Sequence, residues 1–307
     1  MSPVAVVLSA VPTLFSSDGE VDTGANRALY KHVAGLLDGL FVAGTTGEFP
    51  ALDDSERLSL IEVALAEAGP DRVIGHIGAP DARHSARLAK AAVALGAVRI
   101  AAITPYYLPV RPDELCDHYR RIRDAAAGAE LYAYIFPERT GLRVAPPVFA
   151  AVAETAGLAG AKLSGSAAPE LADYVAAAPG LRMFSGNDSN PAATTRAGGA
   201  GVISGRSGAY PEVYAALVAA LGSGDSSSAD SADSADSGDS GDEEAAARHQ
   251  LALDRIVALG ASIGRVKHAL QLRGWGGTTA RMTVDPPDAS LSAAIAAEVA
   301  ALLLVLL

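Results

Sequence analysis

The chain has 307 residues, half of them apolar, enough to bury the core of one large α/β barrel or of two ordinary domains. Its formal charge is −11, but residues 223–244 hold eight acids and no base, and without them the charge is −3. The nearly neutral remainder argues against nucleic acid or an anionic membrane as a partner. The single cysteine, Cys116, excludes an internal disulfide and fits a reducing cytoplasm.

The elements read in order as alternating strands and helices. Val4–Pro12 is a strand and Asp22–Leu37 an amphipathic helix; Leu40–Gly44 is a second strand, ending in Thr45-Thr46-Gly47-Glu48, with a helix over Asp53–Ala68. Strands three to five are Arg72–Ala79, Val98–Thr104 and Glu130–Phe136, with helices over Asp81–Leu95, Pro112–Ala126 and Pro147–Thr155. The sixth strand carries Lys162, followed by a helix over Pro169–Ala178. Leu181–Ser185 and Gly201–Ser204 are the seventh and eighth, with helices to about Arg196 and over Pro211–Leu221. Eight such units in residues 1–222 predict a (β/α)8 TIM barrel, with an open doubly wound sheet as the rival.

Residues 223–244 repeat Ser-Ala-Asp and read as a disordered acidic linker. Residues 245–307 read as a helical extension over Ala245–Leu259, Ile263–Leu272 and Leu291–Leu307, packed on the barrel. The apolar run Ala293–Leu307 is too short for a membrane span, which needs about 20 residues, and Glu298 interrupts it. Met1-Ser-Pro3 has no basic region typical of a signal peptide, so a cytoplasmic location is expected.

Chemistry gathers where a barrel builds its site, at the C-terminal ends of the strands. Only four lysines occur, and Lys31, Lys90 and Lys267 fall in helical patterns. Lys162 lies between Ala161 and Leu163 in a buried-strand pattern. Burial of an ammonium without a partner lowers its pKa and leaves a nucleophilic amine suited to a Schiff base. The bland alternative is a strand-end lysine reaching water. Tyr134, one strand away, can shuttle protons, although Tyr132 has the same strand parity. The turn Gly44–Glu48 offers hydroxyls and N–H groups to a carboxylate. Arg139 can clamp a second carboxylate or simply lie at the surface beside Glu138. Asn187, Asp188, Ser204 and Arg206 follow strands seven and eight. The six histidines lack metal-ligand spacing, so neither a metal nor another cofactor is expected. Nucleotide-binding loops and a Gly-x-Ser-x-Gly elbow are missing from the sequence.

Gly44-Thr-Thr-Gly-Glu48, Thr104-Pro-Tyr-Tyr107, Tyr134–Gly141 and Gly160-Ala-Lys162 together resemble the blocks of the dihydrodipicolinate synthase / N-acetylneuraminate lyase family of class I aldolases. The resemblance implies an imine between Lys162 and pyruvate, proton transfer by Tyr134 with Thr46 and Tyr107, and Tyr107 supplied by a neighbouring subunit. It implies that Thr45, Thr46, Gly47 and the Ile203 backbone hold the pyruvate carboxylate, and that Arg139 meets the aldehyde's acid group. A homodimer or homotetramer is implied too. The expected reaction is the condensation of pyruvate with aspartate semialdehyde. Cleavage of a 2-keto-3-deoxy sugar acid, served by Arg206, is the enzymatic rival, and a non-catalytic metabolite-binding barrel is a remote one. Leu163, Phe136, Arg206 and the acidic insert depart from the family pattern.

Overall fold

The computed structural model describes residues 5–223, 239–277 and 279–305. Strands β1 (Val7–Ala10), β2 (Gly39–Val42), β3 (Val73–His76), β4 (Arg99–Ile103), β5 (Glu130–Ile135), β6 (Gly160–Leu163), β7 (Arg182–Ser185) and β8 (Gly201–Ser204) are parallel and in sequence order. β1 pairs with β8, so the sheet is a closed barrel and the open-sheet alternative is overturned. Most paired segments are shorter than the apolar runs expected for them, β8 matches its run, and β2 starts one residue earlier, at Gly39.

The barrel helices are α1 (Thr23–Ala34), α2 (Asp54–Ala68), α3 (Ala82–Ala94), α4 (Pro112–Ala125), α5 (Pro137–Thr140), α6 (Pro146–Ala156), α7 (Leu171–Ala177), α8 (Pro191–Arg196) and α9 (Pro211–Ser223). Asp22, Asp53, Asp81 and Asn190 cap four of them by accepting a backbone N–H of the first turn. α7 begins later than expected because Gly165–Glu170 forms a separate tight turn.

Strand alternation divides the core in two. Leu8, Phe41, Ile74, Ile103, Tyr132, Tyr134, Phe184 and Ile203 fill the barrel interior. Val7, Leu40, Val73, Leu131, Ala161, Leu163 and Met183 face the helices. Leu163, a departure from the family pattern, therefore packs outward and does not touch the site.

α4 buries His118, which is 5% exposed and lies 5.3 Å from the Tyr119 ring, with Nε2 unpartnered. Desolvation lowers its pKa from 6.5 to about 4, with Asp81 opposing. Because the unfolded chain binds this proton first, stability falls as pH drops from about 6.5 to 4. The contribution is on the order of 3 kcal/mol. His118→Phe should flatten that part of a plot of urea midpoint against pH; an unchanged slope would refute the assignment.

The extension comprises α10 (Asp239–Ala258), α11 (Ile263–Leu272) and α12 (Ala289–Val305). α10 starts at Asp239, inside the stretch read as linker; the rest of that stretch, 224–238, lies outside the described residues. Two polar clusters fasten the extension. Arg273 grips the Glu212 carboxylate with both nitrogens, at 2.6 and 3.1 Å, and His32 joins at 3.0 Å. Deeper down, Lys267 (2% exposed) pairs with Glu48 (0%) and donates to the Thr279 carbonyl at 2.6 Å. The second Glu48 oxygen accepts the N–H groups of Arg281 (2.9 Å) and Met282 (2.8 Å). No helix among the described residues is long and apolar enough to cross a membrane.

Candidate active site

The sequence turn after β2 is built around left-handed residues. Ala43 has φ +54° and Glu48 φ +56°, conformations costly for residues with a Cβ and concentrated at functional sites. Gly44 is required beside them: a Cβ there would lie 2.5 Å from the Phe41 ring. That ring matters, because the Lys162 amine sits 4.5 Å from its centroid and 4.5 Å from that of Tyr134. Register brings the second ring into place, since Tyr134 is the direct β5 partner of Lys162 on β6.

Lys162 is 5% exposed, which removes the snorkelling alternative. Burial depresses its pKa from 10.5 to about 7, with the Asp188 charge opposing. Half of the amines are then neutral nucleophiles near neutrality, where an exposed lysine would be almost wholly protonated. The Tyr134 pKa is raised, chiefly by burial and against hydrogen bonds from Thr45 and Ser164, so the phenol keeps its proton. Tyr132 separates from Tyr134 by depth. Its hydroxyl donates to Glu130 at 2.6 Å and accepts from Arg182 at 3.1 Å, at the opposite end of the barrel.

A cavity of about 310 Å³ opens at this point, lined by Thr45, Thr46, Tyr134, Lys162, Asp188 and Ile203 among others. Arg139 stands at its edge, its guanidinium 5.5 Å from the Phe136 ring and without a carboxylate within 4 Å among the described residues. Its neighbour Glu138 instead accepts the Ser166 N–H at 2.8 Å. Phe136 therefore lines the cavity wall and faces the Arg139 guanidinium.

Three expectations change. The hydroxyl bonded to Tyr134 is that of Thr45, at 3.1 Å, and not that of Thr46, because the left-handed Ala43 ends the strand alternation before the turn. Gly47 does not line the cavity; it is buried, and its carbonyl accepts the Thr13 hydroxyl at 2.7 Å. Arg206 does reach the cavity wall, but its charge is taken up by Asp188, which is 1% exposed and also accepts the Ser204 hydroxyl. Tyr107 lies outside this chain's own cavity, 92% exposed and at φ +83°.

Sequence reasoning missed the extension's share of the site. Ala261, Ser262, Ile263 and Val266 roof the cavity, and Lys267 one residue later is tied to the turn through Glu48. The scarcity of lysine was the available signal, since Lys267 directly follows Val266 on the apolar side of its helix.

This barrel, with its buried amine and phenol, has close relatives. The model of the dihydrodipicolinate synthetase family matches residues 3–303. The chain belongs to that family. It is a lyase. An uncharacterized DapA-like lyase of Halobacterium salinarum is 33% identical over 299 residues, covering 96% of this chain and 92% of that protein. The 4-hydroxy-tetrahydrodipicolinate synthase of Synechococcus sp. is 31% identical over 297 residues, with coverages of 95% and 91%. Among solved structures, YagE, an E. coli K12 prophage protein of the dihydrodipicolinic acid synthase family in complex with pyruvate, is 26% identical. It superposes with a TM-score of 0.81 over 98% of this chain and 99% of its own.

Proposed function

We propose that this family member forms an imine between Lys162 and pyruvate and condenses the derived enamine with an aldehyde that carries an acid group. Aspartate semialdehyde is the foremost candidate. The observation that carries the proposal is the Lys162 amine, buried between two rings and lowered to a pKa of about 7 in a cavity that also holds a protonated phenol.

The neutral amine attacks the 2-oxo carbon, and Tyr134 protonates the departing hydroxyl, which leaves as water. The protonated imine then draws electrons from the adjacent methyl group, so a methyl proton leaves and an enamine forms. Thr45 orients the phenol through their 3.1 Å hydrogen bond. Thr46 and the Ile203 backbone border the space left for the pyruvate carboxylate. Arg139 remains available for the acid group of the aldehyde, which favours the synthase reaction. The engagement of Arg206 by Asp188 disfavours the sugar-acid alternative. Tyr107 serves the relay of a neighbouring copy in a homodimer or homotetramer. Its exposure and left-handed backbone support that role.

Borohydride reduction with pyruvate, followed by peptide mass mapping, should place the adduct on Lys162; an adduct elsewhere would sink the mechanism. Tyr134→Phe should leave pyruvate binding in place and lower kcat by roughly 10²–10⁴-fold, the range for loss of a general acid–base group. A drop of less than tenfold would remove Tyr134 from proton transfer.

A further inference from the structure

The imine cavity has a second lobe of about 370 Å³ that shares Thr45, Arg139 and Ala261–Ile263 with the first. The apolar part of its wall is Phe49, Pro50, Ile103, Tyr106, Ile263, Met282 and Val284, beside Thr283. Of these, Tyr106, Ile263, Met282 and Val284 are only partly buried, which leaves apolar surface facing the cavity. The hydroxyls nearest the neck are already engaged: Thr45 with Tyr134 at 3.1 Å, and Ser262 as acceptor of the Arg265 N–H at 3.2 Å. Charge is confined to Arg139 at the neck and the exposed Asp285. The Thr283 side chain and the Tyr106 hydroxyl add the few other polar groups, so most of the wall is apolar and suits an apolar body better than a polyhydroxylated chain.

We propose that the second lobe receives the body of an apolar aldehyde, aryl or branched alkyl, giving the enzyme an aldol activity toward such aldehydes; this rests on the Lys162 imine proposed above. The enamine carbon attacks the aldehyde carbon, forming the new C–C bond. The carbonyl oxygen takes the proton that the phenol relay received from the pyruvate methyl group. Water then hydrolyses the imine, returning the amine and releasing a 4-hydroxy-2-oxo acid that bears the apolar group. Met282, unbranched and polarizable, adapts the wall to rings and branched chains alike.

The test uses the full chain with pyruvate and three aldehydes: benzaldehyde, 3-methylbutanal and acetaldehyde. The first two should be condensed with kcat/KM at least tenfold above acetaldehyde. Val284→Asp should erase that advantage while the acetaldehyde rate and the pyruvate KM stay within about twofold, with thermal unfolding reporting that the variant is folded. Val284→Leu should preserve the advantage, which separates loss of apolar surface from loss of fold. Equal rates for all three aldehydes in the parent enzyme, or an equal loss for all three in Val284→Asp, would overturn the inference while leaving the imine reading intact. Failure to trap pyruvate on Lys162 would remove both.

Discussion

Lys162→Met is expected to abolish turnover and, at the same time, to make the protein more stable. Loss of the covalent nucleophile should lower kcat by about 10⁴-fold or more. The stability gain follows from desolvation, which holds the amine at a pKa of about 7 against 10.5 for a solvated lysine. Between those values the unfolded chain binds more protons than the folded one, so the parent's stability rises with pH across the window and is flat below it. At pH 7 the buried lysine costs on the order of 3–5 kcal/mol, and methionine of similar length fills the same space without that cost. The difference between parent and variant, read from urea unfolding, should be at its plateau below pH 7, still close to it at pH 7, and vanish by about pH 10.5. A variant less stable than the parent at pH 7 would show that the amine is not desolvated as described. In the parent, imine formation should rise through an apparent pKa near 7 and level off above it.

The second large effect concerns the ion pair beneath the turn. Glu48→Ala strands the Lys267 ammonium at a site only 2% exposed and orphans the N–H groups of Arg281 and Met282. Breaking one side of a buried pair costs about 3–5 kcal/mol. Lys267→Met should cost less, because the remaining carboxylate keeps two backbone donors. The double variant Glu48→Ala, Lys267→Met should lose less than the sum of the two single losses, since no charge is then left alone. Urea midpoints that simply add across the two sites would disprove the coupling.

The barrel was legible in the sequence because each strand is a short apolar run and each helix repeats with its own period. Lys162 was legible because a lysine inside such a run breaks the pattern. Its register with Tyr134 followed from neighbouring parallel strands, but the choice between Tyr132 and Tyr134 did not. The two point the same way, and only their depth along the barrel distinguishes them. The swap of Thr45 for Thr46 was hidden in two backbone angles at Ala43 and Glu48, which no periodicity reports. Arg206 looked like a free cation because its partner Asp188 sits 18 positions away on the preceding strand end. Glu48 and Lys267 lie 219 positions apart and gave no local sign of meeting.

That separation also orders events in the life of the chain. Contacts between sequence neighbours, such as Tyr134 with Lys162, close small loops and can form while later segments are still being synthesised. The bond between Glu48 and Lys267 must wait until residue 267 has emerged, 219 positions later. The roof at Ala261–Ile263 waits with it, so a nascent chain can already hold its reactive amine while still lacking the cover that shields it. The cavity is covered only when α11 docks. Hydrogen exchange at the Arg281 and Met282 amides would follow that docking directly, because those two N–H groups are protected only once Glu48 has been reached.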